Sequence, residues 1–193
     1  MLRFKNFNLG KIKNMKYLIY LALLVIVPSA LAKDTQILIG GEFGQNKSEW
    51  DDHTGEWEAT FGLRAGVETD ESRIYISYNY SEIEDLIFDD TTYKSHALVM
   101  NFDAKTKKHY GFLRVFAGIN IGAIYSEWDL NNPLTEDQDD INLLYGAQAG
   151  LIIDVVDNIY IETGFKYSLT DAKKDEINPA NIMNYYGALN FKF

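Results

Sequence analysis

The sequence predicts an all-β fold, an eight-stranded antiparallel up-and-down transmembrane β-barrel behind a cleaved N-terminal signal peptide. Three observations predict it: a basic leader followed by an apolar core, eight stretches in which apolar side chains alternate with small or polar ones, and connections that alternate between long and short.

Residues 1–32 carry five basic side chains, Arg3, Lys5, Lys11, Lys13 and Lys16, and no acidic one, ahead of the apolar run 17–27. Pro28, Ser29 and then Ala30-Leu31-Ala32 supply the spacing a signal peptidase accepts, so cleavage after Ala32 and a mature start at Lys33 are expected. The alternative is an uncleaved anchor, but the apolar core is shorter than the roughly 20 residues a spanning helix needs. Met15 is an alternative start that keeps Lys16 ahead of the core. The expected organisation is therefore a signal peptide over 1–32 and one barrel domain over 33–193.

Removing the leader takes away five positive charges, so the balance of 18 basic against 28 acidic side chains becomes 13 against 28, a net of −15. Such a chain is repelled by nucleic acid. It has no cysteine. An exported domain without disulfides needs another source of stability, and a closed hydrogen-bonded barrel is one.

The first stretch, 35–44, sets Ile37, Ile39 and Phe43 against Gly40, Glu42 and Gly44. In the second, 56–67, Trp57, Ala59, Phe61, Leu63, Ala65 and Val67 share one face and Glu58, Thr60, Gly62, Arg64 and Gly66 the other, the period of two that a pleated strand imposes. The third, 73–81, sets Ile74, Ile76, Tyr78 and Tyr80 against Tyr75, Ser77, Asn79 and Ser81. The fourth, 93–103, is ambiguous because Leu98, Met100 and Phe102 compete with Ala97 and Val99; the bulkier set is assigned to the apolar face. The fifth, 110–126, places Leu113, Val115, Ala117, Ile119, Ile121, Ala123 and Tyr125 opposite Arg114, Gly118, Asn120, Gly122 and Ser126. The sixth, 141–153, opposes Ile141, Leu143, Tyr145, Ala147, Ala149, Leu151 and Ile153 to Asn142, Gly146, Gln148 and Gly150. The seventh, 159–169, opposes Ile159, Ile161, Phe165, Tyr167 and Leu169 to Tyr160, Glu162, Gly164, Lys166 and Ser168. Segments 45–55, 82–92, 127–140 and 170–182 read as long polar loops, and 68–72, 104–108 and 154–158 as short turns, the order expected when both termini are periplasmic.

The eighth stretch ends the sequence with Tyr185, Gly187, Leu189, Phe191 and the terminal Phe193 at alternate positions. This resembles the C-terminal signature of bacterial outer-membrane barrel proteins, read by the barrel assembly machinery. With the leader and the alternating stretches, the chain resembles the small eight-stranded barrels of the OmpA transmembrane-domain, OmpX and opacity-protein type. It departs from full-length OmpA in ending at the barrel, so no cell-wall tether is expected. The resemblance implies location in the outer membrane, contact with outer-membrane lipid and lipopolysaccharide, a monomer, a loop-borne extracellular partner and no cofactor.

Under this reading the lumen collects Glu42, Glu58 and Glu162 with Arg64, Arg114 and Lys166, three charges of each sign that are expected to pair as a polar plug; a gated, porin-like narrow pore lined by the same residues is the alternative. The loops are acidic, including Glu49, Asp51, Asp52, Glu82, Glu84, Asp89, Asp129 and Glu136. That fits a solvated face, with divalent-cation binding or capture of a basic partner as alternatives. Ile83, Leu86, Ile87 and Phe88 in the second loop and Trp128, Leu130 and Leu134 in the third pack loops together or form an adhesive patch. Trp57, Tyr80, Tyr93, Tyr110, Tyr125, Tyr145, Tyr167 and Tyr185 suit an interfacial girdle.

An enzyme of the lipid A-modifying kind needs a nucleophile and base. Of His53, His96 and His109, only His96 has a neighbouring serine on a strand, and Ser95 and His96 must face opposite sides. No catalytic or metal-binding set is expected. The remaining rival is a soluble lipocalin-like barrel, whose faces would be reversed, apolar inside and polar outside.

Overall fold

The computed structural model describes residues 35–49, 54–84, 91–130, 138–171 and 179–193; the expected signal peptide lies outside the described residues. Eight strands follow in order: β1 (Gln36–Glu49), β2 (Thr54–Glu68), β3 (Ser72–Glu84), β4 (Thr91–Lys105), β5 (Leu113–Leu130), β6 (Gln138–Val156), β7 (Ile159–Thr170) and β8 (Asn181–Lys192). Each pairs antiparallel with the next, and β8 returns to β1, so the sheet closes on itself. Closure leaves no strand edge without a partner, which is what a sheet surrounded by hydrocarbon requires. The seam ends in two backbone hydrogen bonds, Ile37 N to Phe193 O at 2.9 Å and Phe193 N to Ile37 O at 3.0 Å.

The period of two read from the sequence sorts the side chains. Leu63 and Ile119 are 70% and 65% exposed on the outer wall, whereas Arg64, Arg73 and Arg114 are 1–2% exposed inside. Leu98 and Phe102 take the outer face of β4, and Ala97 and Val99 line the lumen, as bulk alone suggests. This arrangement is the reverse of a lipocalin-like barrel.

Three findings differ from the sequence reading. The strands run further than expected, so that Glu49, Ile83, Glu84, Trp128 and Leu130 belong to strands and the first connection shrinks to 50–53. Polarity made these ends look like loops, but a strand that has left the bilayer no longer needs an apolar outer face. In this extension Lys94 stands in register with Glu82 on one side and Glu127 on the other, and the Tyr80 and Tyr125 hydroxyls donate to those two carboxylates. Tyr93 also departs from the expected girdle; it points inward, 1% exposed, with its hydroxyl 2.8 Å from Ser126 Oγ. Finally, the lumen is not uniformly polar. One apolar cluster joins Leu38, Tyr75, Phe116, Ile152, Tyr160, Tyr186 and Ala188, and a second joins Val99, Ile124, Leu144 and Ile182.

The turns at the end carrying the termini are compact. Ser72 N donates to Thr69 Oγ1 at 3.2 Å, and Thr69 N to Ser72 O at 2.8 Å. Between β4 and β5, Tyr110 and Gly111 both adopt positive φ, 53° and 83°, and Phe112 N donates to His109 O at 3.2 Å. Two successive left-handed residues are the requirement of a type I′ hairpin turn, and glycine supplies the second without steric cost.

Candidate functional site

The lumen is built by alternate residues of all eight strands. Its core is a chain of ion pairs. Arg64 of β2 reaches Glu42 of β1 through Nη2 and Glu162 of β7 through Nη1, the latter at 3.0 Å. Glu162 also meets Arg73 of β3, whose Nε donates to Asp103 of β4 at 2.7 Å. Lys166 Nζ closes on Glu42 at 2.9 and 3.1 Å. Gln148 of β6 donates to Asp103 at 2.6 Å and to the Tyr75 hydroxyl at 3.0 Å. Tyr186 of β8 donates to Glu162 at 2.7 Å. β5 enters through the Phe116 ring, which lies 4.6 Å from the Arg73 guanidinium carbon. The Arg64 guanidinium faces Tyr75 and Tyr186 at 5.1 and 5.2 Å. In a low-dielectric interior such pairs hold only when each ion meets several partners, and this network supplies them.

Local sequence makes room for it. Gly62 lies where Glu42 and the Asn79 side-chain amide meet; a Cβ there would stand 2.8 Å from Glu42 Cγ. The Tyr186 side chain crosses Gly164, its Cζ, hydroxyl and Cε1 atoms 2.7–2.9 Å from where a Cβ would be. At these two positions the absence of a Cβ leaves the space that a neighbouring side chain occupies.

Of the six lumen charges singled out from sequence, Glu42, Arg64, Glu162 and Lys166 come together. Arg114 sits apart, bonded to Asp154 at 2.6 Å. Glu58 is separate from both groups, 6% exposed, with neither carboxylate oxygen in a hydrogen bond among the described residues, contrary to the expected pairing. Sequence reasoning missed Arg73 and Asp103, and the neighbouring pair Glu68 and Lys105, which meets Tyr160, a residue already read as inward. Lys105 Nζ lies 3.4 Å from Glu68, and the Tyr160 hydroxyl donates to Glu68 at 2.8 Å. The signal was present, because Arg73 shares the parity of Tyr75 and Asp103 that of Asn101.

The lumen thus has two parts. The network fills the half nearer the termini. The other half contains a small cavity of about 50 Å³ lined by Asn46, Ser48, Thr60, Ser81, Ser95 and Asn184, among others.

Outside, Tyr185, Gly187, Leu189, Phe191 and Phe193 all lie on the exposed face of β8 or at its end. Tyr185 packs against Trp57 and Phe165, with ring centroids 5.4 and 4.8 Å apart. His96 is on the outer wall, Nδ1 sharing a hydrogen bond with Tyr78 at 2.7 Å, and Tyr80 and Tyr125 flank it. Ser95 faces the lumen and bonds Ser81 at 2.8 Å, so the two form no nucleophile and base couple. Of the candidate interaction residues, Ile83, Trp128 and Leu130 are in β3 and β5, and Leu86 and Phe88 lie outside the described residues. The described residues contain no group of three or more His, Asp or Glu able to hold a metal, and the acidic run at 136–137 lies outside them.

The model of the family described as "Outer membrane protein beta-barrel domain" matches residues 18–193. The chain belongs to this family. No curated protein sequence matches it. Among solved structures, this outer-membrane barrel is similar to Neisserial surface protein A, with a TM-score of 0.65 and 12% identity over 83% of this chain and 98% of that one. It is also similar to Ail, the attachment invasion locus protein of Yersinia pestis, solved in complex with the heparin analogue sucrose octasulfate, with a TM-score of 0.59 and 12% identity over 83% and 100% of the two chains. Outer membrane protein H of P. aeruginosa gives 0.56 and 19% over 82% and 99%. At these identities the likeness is one of fold. The apolar outer wall and polar lumen of the present chain are what an outer-membrane β-barrel requires.

Proposed function

We propose that this outer-membrane β-barrel is a closed, non-conducting wall protein with a structural and surface-interaction role. The observation that carries the reading is the network from Lys166 and Glu42 through Arg64, Glu162 and Arg73 to Asp103, in which both partners of the Arg64 and Arg73 bridges are at most 1% exposed. An aqueous path would have to break several buried ion pairs at once. A gated narrow pore is the competing reading. Conductance in planar bilayers tests it: the wild-type protein is expected to be silent, and stepwise currents that change ion selectivity in Arg64→Ala would replace the plug with a pore.

The outer face contacts outer-membrane lipid, with lipopolysaccharide at the level of Trp57, Tyr80, Tyr125 and Tyr185, where rings with a polar edge are favoured. The protein acts as a monomer, inserted by the barrel assembly machinery through its C-terminal strand. Export removes residues 1–32, so the mass of the mature protein is expected to correspond to a chain beginning at Lys33. An extracellular partner would be basic rather than polyanionic, because the mature chain carries a net charge of −15. This sets it apart from Ail, which was solved with an anionic heparin analogue. Deleting residues 85–90 and measuring attachment to host cells or matrix tests the adhesive reading; unchanged attachment would make that segment structural. The opposed faces of Ser95 and His96 support a protein without hydrolase activity, and no cleavage of purified lipid A is expected.

A further inference from the structure

Between Asp103 and Glu127 this acidic chain carries no acidic residue. The stretch includes the turn from β4 to β5, at the end of the barrel where β1 begins and β8 finishes. Lys107 and Lys108 of this turn are the only exposed lysines or arginines among the described residues. Lys108 Nζ lies 3.2 Å from Asp154 Oδ2, but the other oxygen of that carboxylate is held by Arg114 at 2.6 Å, so the cluster stays positive. The exposed acids Asp70, Glu71 and Asp157 belong to the two neighbouring turns. At the tip of the same turn stands Tyr110, 90% exposed, more than any other large apolar side chain among the described residues. Beside it, Asp154 N donates to Phe112 O at 2.8 Å and brings Val155 and Val156 to the turn. Phe112, Val155 and Val156 are exposed next to Leu113 and Ile153, a register pair on the outer wall. One turn thus combines exposed cations with an apolar surface that adjoins the lipid-facing wall.

We propose that this turn is a membrane foot: it seats in the leaflet at this end of the barrel and binds the phosphate of an anionic phospholipid. Lys107 and Lys108 supply the charge, and Tyr110 and Phe112 the apolar anchor. The foot rests on the lipid-facing reading of the outer wall given above. A tyrosine ring with its polar edge is favoured at the headgroup level. Lysine lays its methylene stem along apolar surface while its charge reaches a phosphate. A patch that served a soluble partner would have no reason to adjoin the hydrocarbon-facing wall. Charge selects among lipids: a zwitterionic headgroup brings an ammonium that two lysines repel, and an anionic one does not.

The test uses the full mature chain in lipid nanodiscs made of equal parts phosphatidylcholine and phosphatidylglycerol with the same acyl chains. Native mass spectrometry identifies the lipids that stay bound on release. Phosphatidylglycerol is expected to predominate. Replacing both lysines, Lys107→Gln with Lys108→Gln, is expected to lower its ratio to phosphatidylcholine by about fivefold or more, the attraction of one lysine for an anionic surface. Lys107→Gln alone serves if the double variant does not fold, because it leaves the pair of Lys108 with Asp154 in place. A spin label on His109→Cys, the only cysteine in the chain, reports depth through its collisions with a water-soluble nickel reagent. Tyr110→Asn removes the ring and tolerates the positive φ of this position; it is expected to raise those collisions. Equal retention of the two lipids by the wild type, an unchanged ratio in the lysine variants, or nickel collisions that are the same with and without the Tyr110 ring would overturn the proposal. Labels at Leu63 and Ile119 report on the wall itself. If they are shielded while the turn fails, the foot alone falls; if they meet the nickel reagent freely, the lipid-facing reading falls with it.

Discussion

Arg64 bridges Glu42 and Glu162 with two different nitrogens, and its guanidinium also faces two tyrosine rings. Only a planar, forked cation does all of this at once. Arg64→Ala leaves Glu42 with Lys166 and Glu162 with Arg73, but removes the link between them. The expected loss is about 3–5 kcal/mol, the cost of breaking a buried pair by truncating one partner, read from urea unfolding in micelles. Arg64→Lys should recover only part of it, because an ammonium does not span both carboxylates. Gly164 tests packing rather than charge. Gly164→Val forces the Tyr186 ring from its seat, and that ring's hydroxyl donates to Glu162. A loss of about 1–3 kcal/mol is expected from the overpacking, in the same unfolding measurement.

At the scale of the strand, the face of each side chain was legible wherever apolar and polar residues alternate strictly, as in Trp57 to Val67. It was also legible in β4, where Leu98 and Phe102 are simply larger than Ala97 and Val99 and therefore face lipid. Tyr93 was misassigned because a tyrosine satisfies either environment, its ring filling a lumen as well as an interface; it shares the inward parity of Ala97 and Val99, and its hydroxyl meets Ser126 there. Strand ends were less legible still. Glu82, Lys94 and Glu127 look like loop residues, yet their register makes a row of alternating charge across three strands. Lys94→Glu places three like charges in that row. Faster amide exchange is expected at the ends of β3, β4 and β5, with mid-strand protection unchanged. At the seam, Phe193 contributes two backbone hydrogen bonds to Ile37 as well as an exposed ring. Deleting Phe193 should lower the fraction of protein assembled in the outer membrane, measured by heat-modifiable migration of membrane fractions, and a normal assembled fraction would remove its role as a signal.

For the whole molecule, strand count and closure follow from pattern, because a barrel in lipid leaves a one-dimensional trace: apolar, polar, apolar, polar. What the lumen does leaves no such trace. Partners inside a barrel come from opposite walls, as Arg73 and Glu162 do, and neither residue identifies the other along the chain. Glu58 looked like one more member of a balanced set, and only three-dimensional placement sets it apart. The claim on which everything else stands is that the apolar wall faces hydrocarbon and the charged wall faces inward. Because the sequence has no cysteine, spin labels can be placed singly at Leu63, Ile119, Leu151 and Leu189, all exposed on the outer wall, after substitution by cysteine and reconstitution in lipid vesicles. Frequent collision with dissolved oxygen and protection from a water-soluble nickel reagent is the result the account predicts. Ready collision with the nickel reagent at those four positions would contradict it.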